Sequence, residues 1–370
     1  MVYSRFLRGL GKYRREGLIF STTGATVSLR FLFSQPDNCY TNTIMKTRVA
    51  VLRGGPSEEY EVSLNTGKEV LSNLPEKYHP IDVFISKEGE WHIHGIPKKP
   101  EEIVPHVDVF FNALHGAYGE DGKVQKILDY HGVPYTGSGS LASAITMNKV
   151  LTKRELWKHG VKMPIYTTVT LGQDIDKRTF FIFKSMPMPA VVKPADSGSS
   201  IGVTIAHDFE SLLQGIYKAL EISDTAIVEE YIQGREATCG VVGDFRGQKT
   251  YTLLPLEIIP GTSDFFDYNE KYSGICTELC PGNFSSEEKR LIQNAAAIAH
   301  RAIDLRHYSR SDFIVHPKRG VYFLEVNTLP GLTSESLFPK SLKAVGTTLP
   351  EFLDHVITAT LDRRGTHDII

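Results

Sequence analysis

Cysteine is scarce in this chain, with 4 residues among 370, and no two of them have CxxC spacing. Such spacing is the usual signature of zinc sites and redox motifs, and neither is indicated here. We therefore expect Cys39, Cys239, Cys276 and Cys280 to be free, mostly buried thiols in a reducing compartment.

A strong charge of one sign and long apolar runs are missing as well. The formal net charge is −2, so no basic field indicates nucleic acid or a membrane surface as a partner. No run reaches the roughly 18 apolar residues that predict a membrane helix. The composition, 41% hydrophobic and 23% charged, is ordinary for a soluble protein of two or three domains.

Common nucleotide-binding patterns are also absent. The glycine pair Gly54-Gly55 does not belong to a GxGxxG pattern, and the loop after Lys193 is not a GxxxxGK[ST] P-loop. A Walker site is therefore excluded, and a dinucleotide site is poorly supported.

The first 44 residues differ in composition from the rest, with six basic residues against Glu16 and Asp37. A basic, acid-poor segment is typical of a targeting peptide. Met45 directly precedes an apolar strand, however, so a translation start at Met45 is the alternative that we prefer. In either case we expect residues 1–44 to be poorly ordered.

The other motifs are arranged around residues 321–337, VYFLEVNTLPGLTSESL. Residues 321–326 are β-branched and aromatic, which predicts a strand. Because strand side chains alternate between faces, Glu325 and Asn327 point the same way and Val326 points back. Hard oxygen groups at a strand end suit Mg²⁺. A polar strand end at the surface is the alternative that this stretch alone leaves open.

A second strand at residues 309–315 is predicted to pair with the first through a turn at residues 317–320. Its Asp312 then lies beside Glu325 as a further oxygen ligand, and its Arg310 supplies a nearby guanidinium.

Three other predicted strands, at residues 48–52, 107–114 and 190–194, each run into a glycine-rich loop. Such loops let a backbone pass close to a ligand, and their N–H groups can bind phosphate. Lys193 on the third strand favours a phosphate partner, and His115 opens the second loop. A flexible hairpin and a structural histidine are the corresponding alternatives.

Helices and strands alternate through the rest of the chain. Helices are predicted at residues 141–159, 208–220 and 285–305, and strands at residues 81–86, 90–94, 226–232, 237–242 and 250–258. Residues 135–140 indicate a flexible domain boundary, and the aromatic-rich loop 264–272 indicates a lid.

Six motifs recur in one order between residues 46 and 357: GGPSEEYEVS (54–63), LHGAYGEDG (114–122), KPADSGSSIG (193–202), KY (271–272), RSD (310–312) and EVNTLPGLTSES (325–336). Together they closely resemble the D-alanine–D-alanine ligases, ATP-grasp enzymes of peptidoglycan synthesis. Each motif is a weak signal alone, but the full set in register is highly specific.

The resemblance implies an α/β chain with a three-domain ATP-grasp fold. It implies a Rossmann-like parallel-sheet substrate domain at 45–140, a central ATP-grasp lid domain at 141–232 and a C-terminal domain with the metal and catalytic site at 233–370. In the implied reaction, ATP phosphorylates the carboxylate of one D-alanine and the amino group of a second attacks the acyl phosphate. A cytoplasmic enzyme follows, with no nucleic-acid or membrane partner; relatives are often homodimers.

The resemblance also assigns roles to individual residues of this sequence. ATP binding falls to Lys149, Lys193, Ser200, Glu229, Glu230, Ile232, Glu236 and Lys271. Asp312, Glu325 and Asn327 would bind Mg²⁺ or Mn²⁺. Catalysis would involve Glu59, Ser199, Tyr272, Arg310 and Gly331, the last two as donors to the tetrahedral intermediate. His115, Ser336 and Leu337 would contact the amino-acid substrates.

Two alternatives stay open at this point. Ligases that join D-alanine to D-lactate generally carry phenylalanine where this chain has Tyr272, so Tyr272 favours the dipeptide over a D-lactate product. A D-alanine–D-serine ligase stays open beside it. A non-catalytic ATP-grasp module that only binds a nucleotide is the alternative of a different class. The intact set that speaks against it is Arg310, Asp312, Glu325, Asn327 and Lys193.

Overall fold

A computed structural model describes residues 46–198, 200–260 and 277–367, with side chains as far as residue 363. Several predictions lie outside the described residues: those for Ser199, Lys271, Tyr272, Cys39, Cys276, the loop 264–272 and the basic segment 1–44. Of the two cysteines that are described, Cys239 is buried and Cys280 is half-buried, and both are free thiols. Within the described ranges, no helix is long and apolar enough to span a membrane.

A five-stranded sheet occupies the N-terminal part. Its strands are β1 (Thr47–Gly54), β2 (Tyr78–Ile85), β3 (Trp91–Ile93), β4 (Ile96–Pro97) and β5 (Val109–Asn112), in the order β4-β3-β2-β1-β5. The three strands β2, β1 and β5 are parallel, as predicted. β3, which lies in the predicted strand 90–94, pairs antiparallel with β2, and β4 adds a further antiparallel strand that was not predicted. The centre of β1 (residues 49–52) and the apolar residues of β5 are fully buried, as expected where both faces of a sheet are covered, whereas β2 is partly exposed.

Helices α1 (Tyr60–Asn73), α2 (Pro100–Ile103) and α3 (Lys123–Tyr130) belong to this part, with a short 3₁₀ turn at Val104–His106. The α1 helix begins after the Gly54-Gly55 loop and α3 after the second glycine-rich loop, so both loops lead from a strand into a helix. At Gly54 a Cβ atom would lie 2.2 Å from the carbonyl oxygen of Ile85, and its φ is +93°, so glycine is required there.

The single helix predicted at residues 141–159 is wrong, because the chain forms α4 (Ser140–Met147) and α5 (Lys149–Trp157) instead. Asn148 separates them with an extended backbone, ψ 107°. Its side-chain oxygen accepts hydrogen bonds from the N–H groups of Val150 and Leu151, which caps α5. Lys149 consequently occupies the first turn of a helix rather than its middle.

A four-stranded antiparallel sheet follows. It contains β6 (Tyr166–Thr170), β7 (Ala190–Pro194), β8 (Thr204–Ala206) and β9 (Thr225–Glu230) in the order β6-β9-β7-β8, and is covered by α6 (Ile175–Ser185) and α7 (Phe209–Leu220). Asp208 caps α7 through a hydrogen bond from the N–H of Ser211, as predicted. The loop between β7 and β8 carries the third glycine-rich motif.

The last sheet contains β10 (Arg235–Phe245), β11 (Gln248–Thr252), β12 (Leu256–Ile259), β13 (Thr277–Leu279), β14 (Tyr308–His316) and β15 (Gly320–Asn327), with helices α8 (Ser286–Ala302), α9 (Leu337–Ala344) and α10 (Leu349–His367). The strand predicted at residues 250–258 is wrong, since β11 and β12 are separate strands. Leu253 leaves the ladder to bond with Gly240, and Pro255 has no N–H to continue it. The capping box of Ser285 and Glu288 at the start of α8 is confirmed.

Residues 135–140, expected to be flexible, are largely buried and hydrogen-bonded. Thr136 and Ser138 are at most 1% exposed, and the N–H of Gly137 donates to Nδ1 of His307 at 3.0 Å. The segment therefore forms a fixed junction between the N-terminal sheet and the last sheet.

The hydrophobic side chains form separate cores. One of them joins the N-terminal sheet to the C-terminal helices and includes Val51, Phe111, Phe338 and Phe352. The four-stranded sheet has a core of its own, which it shares with α6 and α7.

Candidate active site

The strand pair β14 and β15 places the oxygen ligands as the alternation of side chains predicts. Asp312 lies opposite Glu325, and Arg310 lies opposite Asn327. Val326 between them is 4% exposed and points into the core. A β-bulge next to Asp312, which the sequence did not indicate, shifts the register beyond this pair.

Cationic side chains already face the two carboxylates. Arg310 binds both oxygens of Asp312, with its Nη2 2.9 Å from Oδ2 and its Nε 3.0 Å from Oδ1. Thr238 donates a further hydrogen bond to Asp312 Oδ1 at 2.6 Å. Lys149 Nζ lies 3.3 Å from Glu325 Oε2.

The donor set fits a hard divalent cation by its chemistry. Two carboxylates and the Asn327 amide oxygen are hard oxygen donors, the type that Mg²⁺ and Mn²⁺ prefer. In the described part of the chain no group of three or more His, Cys, Asp or Glu side chains is arranged to hold a metal. The set therefore relies on only two protein charges, which is typical of ions that also bind substrate phosphates.

A buried cluster of lysines surrounds Glu229 at the end of β9. Lys153 Nζ lies 2.8 Å from Oε1 of Glu229, and Lys193 Nζ lies 2.8 Å from Oε2. Burial alone would raise the pKa of Glu229, but the two lysines outweigh it and hold that pKa at about 2. The carboxylate is therefore charged at any physiological pH and fixes both ammonium groups.

Lys153 is a site residue that the sequence reading missed. Its side chain is 1% exposed, and its Nζ lies 5.7 Å from the centre of the Tyr166 ring. The available signal was its spacing, since Lys149 and Lys153 are four residues apart and share one face of α5.

All seven described residues that were predicted to bind ATP line one cavity, here called the lysine cavity. They are Lys149, Lys193, Ser200, Glu229, Glu230, Ile232 and Glu236. Arg310, Asp312 and Glu325 line it as well. At its rim Glu230 Oε1 pairs with Nη1 of Arg319 at 2.5 Å.

A second cavity, here called the glycine cavity, contains the described residues that were predicted to contact the amino acids. Its lining includes Glu59, His115, Asn327, Gly331, Ser336 and Leu337. At Gly116 a Cβ would lie 2.7 Å from Glu59 Oε2, and at Gly331 it would lie 2.8 Å from Ser336 Oγ. The absence of a side chain at Gly116 and Gly331 thus lets the backbone lie directly against Glu59 and Ser336, two of the predicted substrate contacts.

His115 is buried and neutral in this cavity. Its Nε2 lies 2.8 Å from Thr66 Oγ1, and burial lowers the pKa of the imidazole although the charge of Glu59 opposes this. The histidine therefore contributes shape and a hydrogen bond rather than a positive charge.

Glu120 is the second residue that the sequence reading passed over as part of an acidic loop. Its Oε2 accepts a hydrogen bond from Gly116 N–H at 2.9 Å, and its Oε1 accepts one from Leu329 N–H at 3.0 Å. Burial, and next the charge of Glu59, raise the pKa of Glu120 to about 7. The residue is partly accessible because it lines the cavity, but protein atoms enclose its carboxylate.

The two cavities share part of their lining and are therefore adjacent. Lys149, Gly198, Arg310, Glu325 and Leu337 line both of them. A phosphate group bound in the lysine cavity and a carboxylate bound in the glycine cavity would meet beside Arg310 and Glu325.

Comparison with known proteins gives a consistent result. The family described as "D-ala D-ala ligase C-terminus" matches residues 156–358, and "D-ala D-ala ligase N-terminus" matches residues 48–105 and 95–138. A D-alanine–D-alanine ligase of Desulfotalea psychrophila is 37% identical over 321 residues, covering 86% of this chain and 96% of the relative. One of Solibacter usitatus is 36% identical over 325 residues, covering 86% and 97%.

Solved structures agree with these sequence matches. The D-alanine–D-alanine ligase of Coxiella burnetii superposes with a TM-score of 0.76 at 26% identity, covering 87% of this chain and 96% of that one. The VanG D-Ala:D-Ser ligase of Enterococcus faecalis gives 0.74 at 30%, covering 85% and 99%. The Bacillus anthracis D-alanine–D-alanine ligase complexed with ATP gives 0.72 at 29%, covering 87% and 99%.

Proposed function

The chain belongs to the D-alanine–D-alanine ligase family, and we propose that its two adjacent cavities carry out the ATP-dependent joining of two D-alanines for peptidoglycan precursors. The observation that carries this proposal is the contact between Lys149 and Glu325 at 3.3 Å, where the lysine cavity meets the glycine cavity. Phosphoryl transfer needs two bound groups brought into line, and adjacent cavities that share lining residues support that arrangement.

ATP occupies the lysine cavity in this proposal. Lys149 and Lys193 neutralise its phosphates, the backbone and hydroxyl of Ser200 lie over them, and Lys271 acts near the γ-phosphate. Glu230, Ile232 and Glu236 surround the adenine and ribose, Ile232 through its backbone. Glu229 acts through the lysines, because both of its oxygens face an ammonium group.

Asp312, Glu325 and Asn327 hold Mg²⁺ or Mn²⁺ in the same proposal. The ion supplies charge neutralisation to the phosphates between which the bond breaks. Arg310 then leaves part of its contact with Asp312 and turns its guanidinium toward the reacting carboxyl group.

The glycine cavity binds the amino acids. Glu59 holds the ammonium of the first D-alanine and His115 borders it, while the D-alanine carboxylate takes the γ-phosphoryl group of ATP to give an acyl phosphate. The amino group of the second D-alanine attacks that carbonyl carbon, and phosphate leaves. Ser336 and Leu337 receive the carboxylate of the second D-alanine.

Arg310 and the N–H of Gly331 stabilise the oxyanion of the tetrahedral intermediate. Ser199 and Tyr272 complete the catalytic set of the proposal and connect with Glu59. Gly198 itself lies close to Glu59, since a Cβ at Gly198 would lie 3.4 Å from Glu59 Oε2.

Three domains are proposed, at residues 45–140, 141–232 and 233–370. Their support is that β1 to β5, β6 to β9 and β10 to β15 fall within these three ranges and form three separate sheets. A cytoplasmic location, supported by the free thiols of Cys239 and Cys280, and a homodimer complete the proposal.

The test is a phosphate-release assay with ATP and Mg²⁺, in which D-alanine, D-lactate and D-serine are supplied together and the products are identified. We expect phosphate release to depend on D-alanine and the dipeptide D-alanyl-D-alanine to dominate. A dominant D-lactate or D-serine product would assign the chain to that specificity, for which the VanG neighbour is the precedent. Binding of ATP with no turnover would instead identify a non-catalytic module.

A further inference from the structure

Glu120 joins two loops that come from different sheets. Gly116, which donates to its Oε2, follows β5 of the N-terminal sheet. Leu329, which donates to its Oε1, follows β15 of the last sheet. Thr328 Oγ1 adds a longer hydrogen bond to the same oxygen at 3.4 Å. One carboxyl group thus holds both loops by accepting a backbone hydrogen bond from each of them.

Each loop carries part of the ligation machinery proposed above. Gly116 directly follows His115 and passes against Glu59, where the first D-alanine is held. Leu329 lies two residues before Gly331, whose N–H faces the developing oxyanion. The chain after Gly331 is held as well, because the hydroxyls of Thr333 and Ser336 lie 2.8 Å apart, within hydrogen-bond distance.

The surroundings of Glu120 disfavour a charged carboxylate, and this argues that the residue has a specific role. Burial and the neighbouring charge of Glu59 both disfavour the ionised form and raise the pKa of Glu120, while the two N–H groups and Arg310 favour ionisation. A neutral side chain would fill this space at lower cost. Two other hydrogen bonds link the N-terminal and C-terminal parts, Gly137 with His307 and Tyr78 with Asp354, but these four residues line neither cavity.

We propose that Glu120 is a positioning residue of the ligation step, which keeps the Gly331 N–H in register with the first D-alanine by holding the Gly116 and Leu329 loops together. The inference rests on the proposed function, because the register matters only if the carbonyl of the first D-alanine is attacked in this cavity. A displacement of about 1 Å in such a site costs roughly 100-fold in rate.

The experiment compares Glu120→Gln, Glu120→Asp and the control Glu257→Gln in the full-length protein. Glu257 is a matched control because it is also buried and accepts a backbone hydrogen bond, from Asn283 N–H at 2.9 Å. Glutamine keeps one acceptor but turns an NH₂ group toward the other N–H, and aspartate is one methylene too short to reach both loops. The measurements are kcat, KM for ATP and for D-alanine, thermal stability, and affinity for a phosphinate analogue of the tetrahedral intermediate.

We expect kcat to fall about 10- to 100-fold in both Glu120 variants, with KM for ATP changed less than about twofold. Affinity for the phosphinate should fall in parallel with kcat/KM, because the analogue reads the oxyanion register. Glu257→Gln should lose comparable thermal stability and keep its kcat and phosphinate affinity.

The inference is overturned if either Glu120 variant keeps wild-type kcat and phosphinate affinity. It is also overturned if the Glu120 variants and Glu257→Gln lose kcat and phosphinate affinity to the same extent, since Glu120 would then have a structural role only. If Glu120→Gln does not fold, Glu120→Asp, which keeps the charge, decides the question. A wild-type protein that makes no dipeptide would instead refute the proposed function, so the two failures are distinguishable.

Discussion

Glu229 lines the lysine cavity and Glu120 lines the glycine cavity, and the two carboxyl groups have different kinds of surroundings. Glu229 is held between Lys153 and Lys193, and its pKa is about 2. Glu120 has backbone N–H groups as its partners and the carboxylate of Glu59 as a charged neighbour, and its pKa is about 7. A glutamate is thus fully ionised at neutral pH in the lysine cavity, whereas a glutamate in the glycine cavity has a pKa close to neutral pH.

The difference indicates how each cavity is arranged for the ligand proposed above. The lysine cavity holds ammonium groups in fixed positions, so the phosphate binding proposed there would require little reorganisation. The glycine cavity relies on backbone groups whose positions depend on two loops meeting correctly. We therefore expect substitutions that change charge to have the larger effects on activity in the lysine cavity. In the glycine cavity, substitutions that change the positions of the loops should have the larger effects.

The largest effect is expected at Glu325, which lines both cavities. Glu325→Gln should lower kcat about 1,000-fold, because charge stabilisation by a bound metal contributes several kcal/mol. Folding should be nearly unaffected, as thermal unfolding would show. The exposed Glu101→Gln serves as control. Near-wild-type turnover of Glu325→Gln would remove this residue from the metal site.

The next largest effect should follow from removing one lysine beside the lysine cavity. Lys153→Met leaves Glu229 with one cationic partner, so the free energy of unfolding should fall by roughly 3 kcal/mol. KM for ATP should rise about tenfold as Lys193 loses its fixed position. Denaturant unfolding and steady-state kinetics measure the two effects.

Adding Glu229→Gln to Lys153→Met sharpens the comparison. The double variant should be less stable than Lys153→Met, because Lys193 then loses its Glu229 partner and is left as an uncompensated charge, and it should not regain the affinity for ATP. The exposed Lys158→Met on the same segment is the control. Equal stability of wild type and Lys153→Met would show that the lysine cavity is not organised by this pair.

A smaller effect should appear in the pH dependence of unfolding without ligands. The folded-state pKa of Glu120 is raised from 4.5 to about 7, so its contribution is fully present below pH 4.5 and is lost as the pH rises through 7. The loss is at most about 3 kcal/mol, and Glu120→Gln should flatten it. Glu229 has the opposite sign: its pKa is lowered from 4.5 to about 2, so its contribution is lost as the pH falls below 4.5 toward 2.

Denaturant titrations at several pH values test this prediction. Glu59 and Arg310 face Glu120 and remain unchanged in the variant, so the difference between the two curves isolates Glu120. Identical slopes for wild type and Glu120→Gln between pH 5 and about 7 would contradict the assignment.

The smallest effect is expected at the exposed rim of the lysine cavity. Arg319, whose side chain is 41% exposed, pairs with Glu230 at 2.5 Å. Solvent screens an exposed pair, so Arg319→Ala should change KM for ATP by no more than about threefold. A tenfold change would mean that the rim is organised as tightly as the buried lysine cluster.

Local rules predicted much of the fold and the centre of the site. The alternation of side chains placed Glu325 and Asn327 on one face, the pairing of β14 with β15 brought Asp312 beside them, and the caps of α7 and α8 were legible as short patterns. Each of these features depends on residues that are close in sequence or adjacent in a hairpin.

The features that were missed depend on tertiary structure. Lys153 looks like an ordinary surface lysine until β9 brings Glu229 against it, and Glu120 looks like a loop acid until β15 brings the N–H of Leu329 within reach. The break at Asn148 arises from a side chain that competes with the helix backbone, a choice that periodicity alone does not reveal.

The core shared by the N-terminal sheet and the C-terminal helices has a consequence for unfolding. Because Phe111 packs in one cluster with Phe338 and Phe352, these distant parts of the chain should lose structure together. The four-stranded sheet, with its separate core, should exchange its amide protons as an independent cooperative unit. In evolution the central sheet can therefore change alone, whereas the first and last parts of the chain must vary in concert.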